Sequence, residues 1–252
     1  MKIAVITGGS SGIGRSAAIS IAERGAGVIL TYNAHADGAE ETVATIEGNA
    51  GSAVAVPLDI GRSEDFTGFA ERVNDVIRER WQRTTLDYLV NNAGFGQMSM
   101  FEDTTEELYD QFHQVILKGP YFLTQSLLPM LADGGAIVNI TSNSAINTGV
   151  SAGYSAYASM KAGLAMLTRY LAKELSPRGI RANSIAPGAT RTRIDHDAFD
   201  RFPEVIPPLV ENTALGRLGE PDDIGKVIAA LLSDECGWIT GENIEVSGGL
   251  NL

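Results

Sequence analysis

Residues 5–18 read "VITGGSSGIGRSAA", an apolar run that ends in a glycine-rich turn and continues into a helix-forming segment. The glycines are Gly8, Gly12 and Gly14. A glycine-rich turn at a helix N-terminus lets a phosphate approach backbone N–H groups where any Cβ atom would block it. Tight strand-to-helix turns also use glycine, but the position after a first strand and before a first helix favours a dinucleotide-binding turn.

The rest of the chain repeats this alternation of short apolar runs and helix-patterned segments. The runs predict strands at residues 2–7, 27–32, 52–59, 86–92, 136–141, 180–186 and 243–249. The segments between them predict helices at residues 14–25, 36–48, 63–81, 104–131, 156–175 and 221–233. The runs are mostly continuous rather than alternating, which is typical of strands covered on both faces. We therefore expect an α/β fold, a doubly wound parallel sheet of about seven strands with helices on both faces.

The domain organisation follows from the absence of repeats, low-complexity tracts and linkers in the sequence. We expect one domain over residues 1–252, in which the least regular segment, residues 188–220, forms a substrate lid.

The composition excludes several classes of function. A net charge of −12 argues against a nucleic-acid partner, because phosphate backbones require a basic face. The single cysteine, Cys236, and the scattered His35, His113 and His196 give no metal-binding pattern. The N-terminal apolar run stops at glycines, and no run reaches the ~18 apolar residues of a membrane span. We expect a cytoplasmic protein with no metal and no membrane partner.

A second motif, "YSAYASMK" at residues 154–161, places Tyr157 and Lys161 four residues apart. On a helix these two side chains share one face. A free phenol has a pKa of about 10, and a cation nearby lowers such a pKa by roughly one to three units. The pair therefore predicts a phenol that exchanges protons near neutral pH. The alternative interpretation is a helix face with a partly buried Tyr and a Lys that extends to solvent.

With these motifs, the 252-residue chain resembles the short-chain dehydrogenase/reductase family along nearly its whole length. The resemblance rests on residues 7–14 (TGGSSGIG), Asp59, 91–94 (NNAG), 137–142 (IVNITS), Tyr157 with Lys161, 183–192 (NSIAPGATRT), 216–224 (GRLGEPDDI) and 239–249 (ITGENIEVSGG). It is similar to 3-oxoacyl-thioester reductases and to glucose or polyol dehydrogenases. The family implies a Rossmann-type fold and an NAD(P)(H)-dependent interconversion of a ketone and a secondary alcohol.

The resemblance also implies residue roles. Tyr157 would donate the proton, Lys161 would also hold the nicotinamide ribose, and Ser142 would hydrogen-bond the substrate oxygen. The positive charge of an oxidised nicotinamide would add to that of Lys161 in lowering the pKa of Tyr157. Ser144 is the alternative serine, because the separation between Ser142 and Tyr157 is slightly longer than we expect for the family. The expected cofactor-binding residues are Gly8, Ser10, Ser11, Gly12, Ile13, Gly14, Tyr32, Asn33, Asp59, Ile60, Asn91, Ala93, Gly94, Tyr157, Lys161, Pro187, Gly188, Thr190 and Thr192.

The cofactor choice depends on the end of the second predicted strand. NAD-using members carry an Asp there to bind the adenosine ribose, whereas this chain has Tyr32 followed by Asn33. Without a carboxylate to repel a 2′-phosphate, NADP(H) is favoured and NAD(H) is the alternative. No Arg or Lys follows directly, so Arg15 and His35 are the candidate phosphate partners.

A departure from the family pattern occurs at Ile116, where members carry an Asn that helps to hold a water for proton transfer. The alternative interpretation of Ile116 is an ordinary core residue. We expect Ile116→Asn to leave fold and cofactor affinity unchanged and not to reduce turnover.

The substrate side is expected at residues 95–101 (FGQMSMF) and at Phe199 and Phe202 of the lid, all rich in apolar side chains. We expect a small-molecule carbonyl or alcohol substrate. A 3-oxoacyl-thioester reductase is the alternative: Asp133 disfavours an acidic carrier protein, while Arg169 and Lys173 favour one. A non-catalytic nucleotide-binding regulator is a third hypothesis.

The family resemblance further implies a homo-oligomer, a tetramer assembled through helices 104–132 and 154–176 and the C-terminal strand.

Overall fold

The computed structural model describes residues 1–146 and 149–252 of the chain. Its seven strands form one parallel sheet in the order β3-β2-β1-β4-β5-β6-β7. The strands are β1 Ile3–Ile6, β2 Gly27–Tyr32, β3 Ser52–Pro57, β4 Leu86–Asn91, β5 Leu131–Ile140, β6 Arg181–Pro187 and β7 Asn243–Val246. The predicted α/β class, the parallel sheet and the number of strands are confirmed.

The described α-helices are α1 Gly12–Glu23, α2 Ala36–Gly48, α3 Phe66–Trp81, α4 Glu106–Phe112, α5 Gly119–Leu127, α6 Ser155–Glu174, α7 Ile194–Arg201, α8 Ile206–Glu211 and α9 Pro221–Leu232. They cover both faces of the sheet. On β1, Ala4 and Ile6 join a core cluster with α1, α2 and α9, whereas Ile3 and Val5 join a cluster with α3, α5 and α6. This alternation follows from the two-residue period of a strand.

The helix predicted over residues 104–131 is helical without a break from Glu106 to Met130, but its hydrogen-bonding pattern changes along its length. The structure divides it into α4, a π-helical turn at His113–Lys118, and α5. The N–H of Gly119 donates to the carbonyl of Gln114, five residues back. The next residue is Pro120, which has no N–H and so cannot donate to the carbonyl of Ile116. The proline therefore interrupts the α-helical ladder at this point.

The strand order reverses between β1 and β4, which lie side by side although α1 packs on one face of the sheet and α5 on the other. In open α/β sheets a ligand binds beyond the carboxyl ends of the strands at such a switch point. The glycine-rich turn follows β1 and residues 91–94 follow β4, so both motifs lie at this crevice. In the described parts of the chain, no helix combines the length and apolar character needed to cross a membrane.

The segment predicted as a lid, residues 188–220, contains the short helices α7 and α8. Its two ends are joined by a bridge between Thr190 and Gly219, and Thr213 pairs with Leu250 near the C-terminus. The segment therefore leaves the end of β6 as a long loop whose two ends are paired with each other.

Candidate active site

The glycine-rich turn has a backbone that only glycine accommodates. Gly8 and Gly12 have φ of +69° and +54°, in the left-handed region that side chains disfavour. A Cβ atom on Gly14 would lie 2.1 Å from the carbonyl oxygen of Gly8. The turn thus holds the first N–H groups of α1 open, and these groups lack helical acceptors. The first turn of α1 carries no acidic residue, so the electrostatics of the helix end suit an anion.

The turn is tied to the end of β4 by hydrogen bonds around Thr7. Its hydroxyl oxygen accepts from the backbone N–H groups of Asn92 and Ala93, both at 2.9 Å. The Asn92 side chain donates to the carbonyl oxygens of Thr7 and Gly8 at 2.9 and 3.3 Å. Asn92 was not among the expected site residues, although it lies within the "NNAG" motif that signalled the region.

The base of the lid lies on the same turn. A Cβ atom at Gly12 would be 3.4 Å from the methyl carbon of Thr192. Thr190 is buried and donates from its hydroxyl to the carbonyl of Gly188 at 3.0 Å. The N–H of Gly188 donates to the carbonyl oxygen of Val246 at 3.0 Å. This bond attaches the segment after Pro187 to the last strand, β7. The residues expected to bind the cofactor at 187–192 and in the glycine-rich turn therefore lie next to one another.

At the other end of the crevice, a cavity of about 480 Å³ opens beside β2 and β3. Tyr32, Asn33 and Asp59 line it, at the positions expected to meet the adenosine. The Asp59 carboxylate accepts from the N–H of Gly61 at 2.9 Å, and Ile60 is buried. Three of the expected cofactor-binding residues, Tyr32, Asn33 and Asp59, therefore line one cavity.

Arg15, a candidate partner for a 2′-phosphate, is already ion-paired. Its guanidinium lies 3.1 Å from the carboxylate of Glu41 on α2. The first turn of α2 packs on the glycine-rich turn, because a Cβ atom on Gly38 would lie 2.6 Å from the carbonyl oxygen of Ser10. His35 directly precedes α2. Glu41 therefore offsets the charge of Arg15 beside the turn.

Asn91 faces the core rather than the crevice. Its side-chain nitrogen donates to Thr124 at 3.0 Å and to Asn139 at 2.8 Å, and these bonds join β4, α5 and β5. A cofactor contact at Asn91 would therefore use its backbone.

Ser142, Tyr157 and Lys161 meet at the carboxyl edge of β5. All three side chains are buried, and Ser142 hydrogen-bonds with the Tyr157 hydroxyl. The ammonium of Lys161 lies 5.7 Å from the centre of the Tyr157 ring, as expected for neighbours one helical turn apart. A Cβ atom on Gly94 would be 3.7 Å from that ammonium nitrogen, so the "NNAG" motif and α6 converge here.

Of the two candidate serines, Ser142 is the one that hydrogen-bonds Tyr157. The hydroxyl oxygen of Ser142 accepts from the backbone N–H of Ser144 at 3.1 Å. Ser144 thus supplies a backbone contact that orients Ser142 beside Tyr157.

The expected lowering of the Tyr157 pKa, which also invoked the charge of an oxidised nicotinamide, is not produced by Lys161 alone. Burial raises the pKa of Tyr157 to about 12, against a smaller lowering by the hydrogen bond from Ser142 and a small increase from Tyr154. The physical reason is desolvation of the phenolate in an apolar pocket. Phe112 meets the Tyr157 ring edge-on at 6.0 Å, and Ile116 and Met160 complete the pocket. At neutral pH Tyr157 is therefore a protonated donor.

The same burial lowers the pKa of Lys161 to about 8. Its ammonium donates to the carbonyl oxygen of Ile140 at 2.7 Å. A buried lysine with a pKa this near neutral pH is unusual, and groups with strongly shifted pKa values cluster at functional sites.

Ile116 is a core residue, 1% exposed, and packs with Phe112, Tyr157 and Met160. It lies in the π-helical turn, and such turns are frequent at functional sites. The expectation that Ile116→Asn leaves the fold unchanged conflicts with this burial, because an amide in this pocket loses its hydration.

These residues fit a nicotinamide dinucleotide. The cradle between Gly8, Gly14 and Ala93 leaves backbone rather than side chains at the pyrophosphate position: a Cβ atom on Gly8 would lie 3.0 Å from Ala93. The buried Tyr–Lys pair lies at the same crevice, so the class that fold and site define is a dinucleotide-dependent oxidoreductase.

Comparison with known proteins agrees with this class. A family model described as enoyl-(acyl carrier protein) reductase matches residues 8–251. An uncharacterised oxidoreductase of Methylorubrum extorquens is 38% identical over 250 residues, covering 99% of this chain and 97% of that protein. The 3-oxoacyl-[acyl-carrier-protein] reductase FabG of Staphylococcus epidermidis is 32% identical over 253 residues, covering 100% and 99%. The angucycline C-6 ketoreductase LanV with bound NADP superposes with a TM-score of 0.93 at 35% identity, covering 99% and 95%.

The chain belongs to the short-chain dehydrogenase/reductase family and is an oxidoreductase.

Proposed function

We propose that this protein is an NADP(H)-preferring reductase that converts a ketone into a secondary alcohol. The observation that carries the proposal is the buried group of Ser142, Tyr157 and Lys161 at the edge of the dinucleotide crevice. The similarity to a ketoreductase that binds NADP supports the same reaction.

Each residue has its own role in the proposed reaction. The glycine-rich turn would hold NADPH, and the bound cofactor would supply the hydride for the new C–H bond at the carbonyl carbon. As the C=O π electrons move to oxygen, Tyr157 transfers its phenolic proton to that oxygen, which balances the reduction. Ser142 hydrogen-bonds Tyr157 and orients the substrate oxygen. Lys161 stabilises the phenolate that Tyr157 becomes, and the proton returns from solvent.

The preference for NADP(H) over NAD(H) rests on Tyr32, which replaces the carboxylate that would repel a 2′-phosphate. LanV binds NADP, which supports this choice. The pairing of Arg15 with Glu41 at 3.1 Å weakens the attraction for the phosphate, so NAD(H) is the expected secondary cofactor. The test is the rate ratio with the two reduced cofactors at equal concentration; a strong preference for NADH would contradict the proposal.

The alternative function, 3-oxoacyl-thioester reduction, is supported by the similarity to FabG. Asp133, expected to repel an acidic carrier, accepts from Arg178 at 2.8 Å, so its charge is offset and argues less strongly against this function. A panel of ketones and acetoacetyl thioesters, followed by the loss of NADPH absorbance, separates the two functions. Binding of NADPH without turnover on any carbonyl compound would instead favour the non-catalytic regulator.

We propose a homotetramer for the assembly. Exposed aromatic and apolar side chains on α4, α5 and α6 support it, because contiguous exposed apolar residues mark interaction surfaces; they are Tyr109, Tyr121, Phe122, Met166 and Tyr170. A single domain over residues 1–252, a lid at residues 188–220 and a cytoplasmic location belong to the same proposal. A monomeric mass by light scattering at micromolar concentration would contradict the assembly.

A further inference from the structure

Two segments without charge border the reacting group. No Asp, Glu, Lys, Arg or His occurs from residue 88 to 101 or from residue 134 to 160, in a chain with 20% charged residues. The first run begins within β4 and the second contains Ser142 and Tyr157. A surface that meets a charged substrate normally offers a counter-charge. The two runs therefore border the site with an uncharged surface.

The two runs meet at Gly153, one residue before Tyr154. The N–H of Ser99 donates to the carbonyl of Gly153 at 2.8 Å. Met98 lies over Gly153, because a Cβ atom there would be 2.6 Å from the Met98 side chain, and Met100 follows at 3.9 Å. Gly153 immediately precedes Tyr154, whose ring meets the Tyr157 ring edge-on at 6.2 Å. The thioethers thus lie on Gly153, and Tyr154 stands between this glycine and the Tyr157 ring.

An aromatic row runs through the same place. Phe95 stacks on Phe112 at 4.8 Å with an interplanar angle of 17°, and Phe112 meets Tyr157 edge-on at 6.0 Å. Phe112 and Tyr157 are buried, whereas Phe95 and Tyr154 at the two ends of the row are only partly buried. The partly buried rings provide aromatic surface next to the reacting hydroxyl.

The rim formed by Phe95, Met98, Met100 and Tyr154 carries apolar groups that solvent reaches. Met98 is 61% exposed and Met100 is 42% exposed. Aromatic rings bind other rings in offset or edge-on arrangements, and methionine sulfur makes favourable contacts with aromatic rings. Flexible thioethers also adapt to a flat outline. These properties match a planar aromatic partner better than a flexible acyl chain.

Two cations at the start of the lid segment are paired with carboxylates. Arg191 lies 3.4 Å from Glu220, and Arg193 lies 3.1 Å from Asp197. A phosphate of coenzyme A or of a carrier protein would have to compete with these carboxylates for either arginine.

We propose that the substrate is an uncharged, fused-ring aromatic ketone whose rings lie on this rim while its carbonyl oxygen reaches Tyr157 and Ser142. This rests on the proposed ketone reductase function and names the substrate class of that site.

The test compares matched ketones in steady state with NADPH. The probes are 1-tetralone, its saturated counterpart 1-decalone, a ring-carboxylated 1-tetralone, and acetoacetyl thioesters of N-acetylcysteamine and of coenzyme A. We expect kcat/KM for 1-tetralone to exceed that for each other probe by about tenfold or more. Because conjugation makes an aryl ketone less electrophilic than 1-decalone, such a preference must come from binding to the protein.

A second experiment uses substitutions on the rim. Met98→Glu should raise KM for 1-tetralone about tenfold and weaken binding of the unreactive 1-naphthol, measured by calorimetry on the NADP-bound protein. Met98→Leu, which keeps an apolar side chain but removes the sulfur, should raise KM and weaken 1-naphthol binding by only about two- to threefold. Ala44→Glu, which adds the same charge on the exposed face of α2, is the control. The NADPH dissociation constant should be unchanged in all three variants, which also shows that each is folded.

The outcomes separate the two proposals. If no carbonyl compound is reduced, the proposed function fails. If 1-decalone or a thioester is reduced as efficiently as 1-tetralone, or if Met98→Glu behaves like Ala44→Glu, the function stands and the inferred substrate class is wrong.

Discussion

The ammonium of Lys161 donates to the backbone carbonyl of Ile140 at 2.7 Å, beneath the ring of Tyr157. This hydrogen bond fixes the charge at the edge of the sheet, where solvent does not reach it. Burial lowers the pKa of Lys161 to about 8, from 10.5. At neutral pH the folded protein therefore buries a positive charge, and the desolvation of this charge lowers the free energy of unfolding. The charge is kept beside Tyr157 despite this loss of stability.

We expect Lys161→Met to be inactive but more stable than the wild type at pH 7. The lowered pKa corresponds to a penalty of up to about 3 kcal/mol for the charged form, part of which the lost bond to Ile140 offsets. The penalty is complete below pH 8 and disappears as the pH rises to 10.5, where the unfolded chain also loses this charge. Denaturant unfolding at pH 7 and pH 10 should show the gain shrink. The control is Lys173→Met, an exposed lysine on the same helix. A variant less stable than the wild type at pH 7 would contradict the desolvation argument.

The sequence predicted those parts of the site that depend on backbone geometry. Gly8, Gly12 and Gly14 could be recognised because only glycine fits the turn, and Tyr157 with Lys161 because helical periodicity places them together. The sheet followed from the alternation of apolar runs and helical segments.

The electrostatics could not be predicted in the same way. The motif indicates that a cation is near Tyr157, but the direction of the pKa shift depends on burial by Phe112 and Ile116, which come from a distant segment. The pairing of Arg15 with Glu41 likewise depends on how α1 and α2 pack. Pro120 was visible in the sequence as a helix-breaking signal, but the helical pattern around it concealed the π-helical turn.

Tyr157→Phe is expected to lower kcat/KM for ketone reduction by about 10²- to 10⁴-fold, because the ring loses the proton that general acid catalysis requires. The dissociation constant for NADPH should stay within about twofold, since the ring still packs against Phe112. The matched control is Tyr154→Phe, a second phenol whose ring lies 6.2 Å away. Stopped-flow and fluorescence binding measure the two quantities. Equal losses in both variants would show that Tyr157 is not the specific proton donor.

Ile116→Asn is expected to destabilise the fold, in place of the neutral effect that the family comparison suggested. The side chain is 1% exposed among Phe112, Tyr157 and Met160. Burying an amide there while losing apolar contacts should cost about 2–4 kcal/mol. Ile116→Val, which keeps the pocket apolar, should cost about 0.5–1.5 kcal/mol. Thermal unfolding of both variants measures the difference, and equal stability of the Asn variant and the wild type would show that water reaches this pocket.

Glu41→Gln is expected to strengthen NADPH binding by about two- to fivefold while leaving NADH binding unchanged, because it releases Arg15 from the ion pair at 3.1 Å. The exposed fractions of the two side chains, 35% and 67%, keep the effect modest. It should diminish in 0.5 M salt, since screening weakens charge interactions at the surface. Glu235→Gln removes the partner of Arg24 at the opposite end of α1, 3.5 Å away, and is the matched control. Calorimetric titration with both cofactors gives the dissociation constants. If NADH binding strengthens equally, Glu41 acts on the shared part of the cofactor, and Arg15 has no role in selecting the 2′-phosphate.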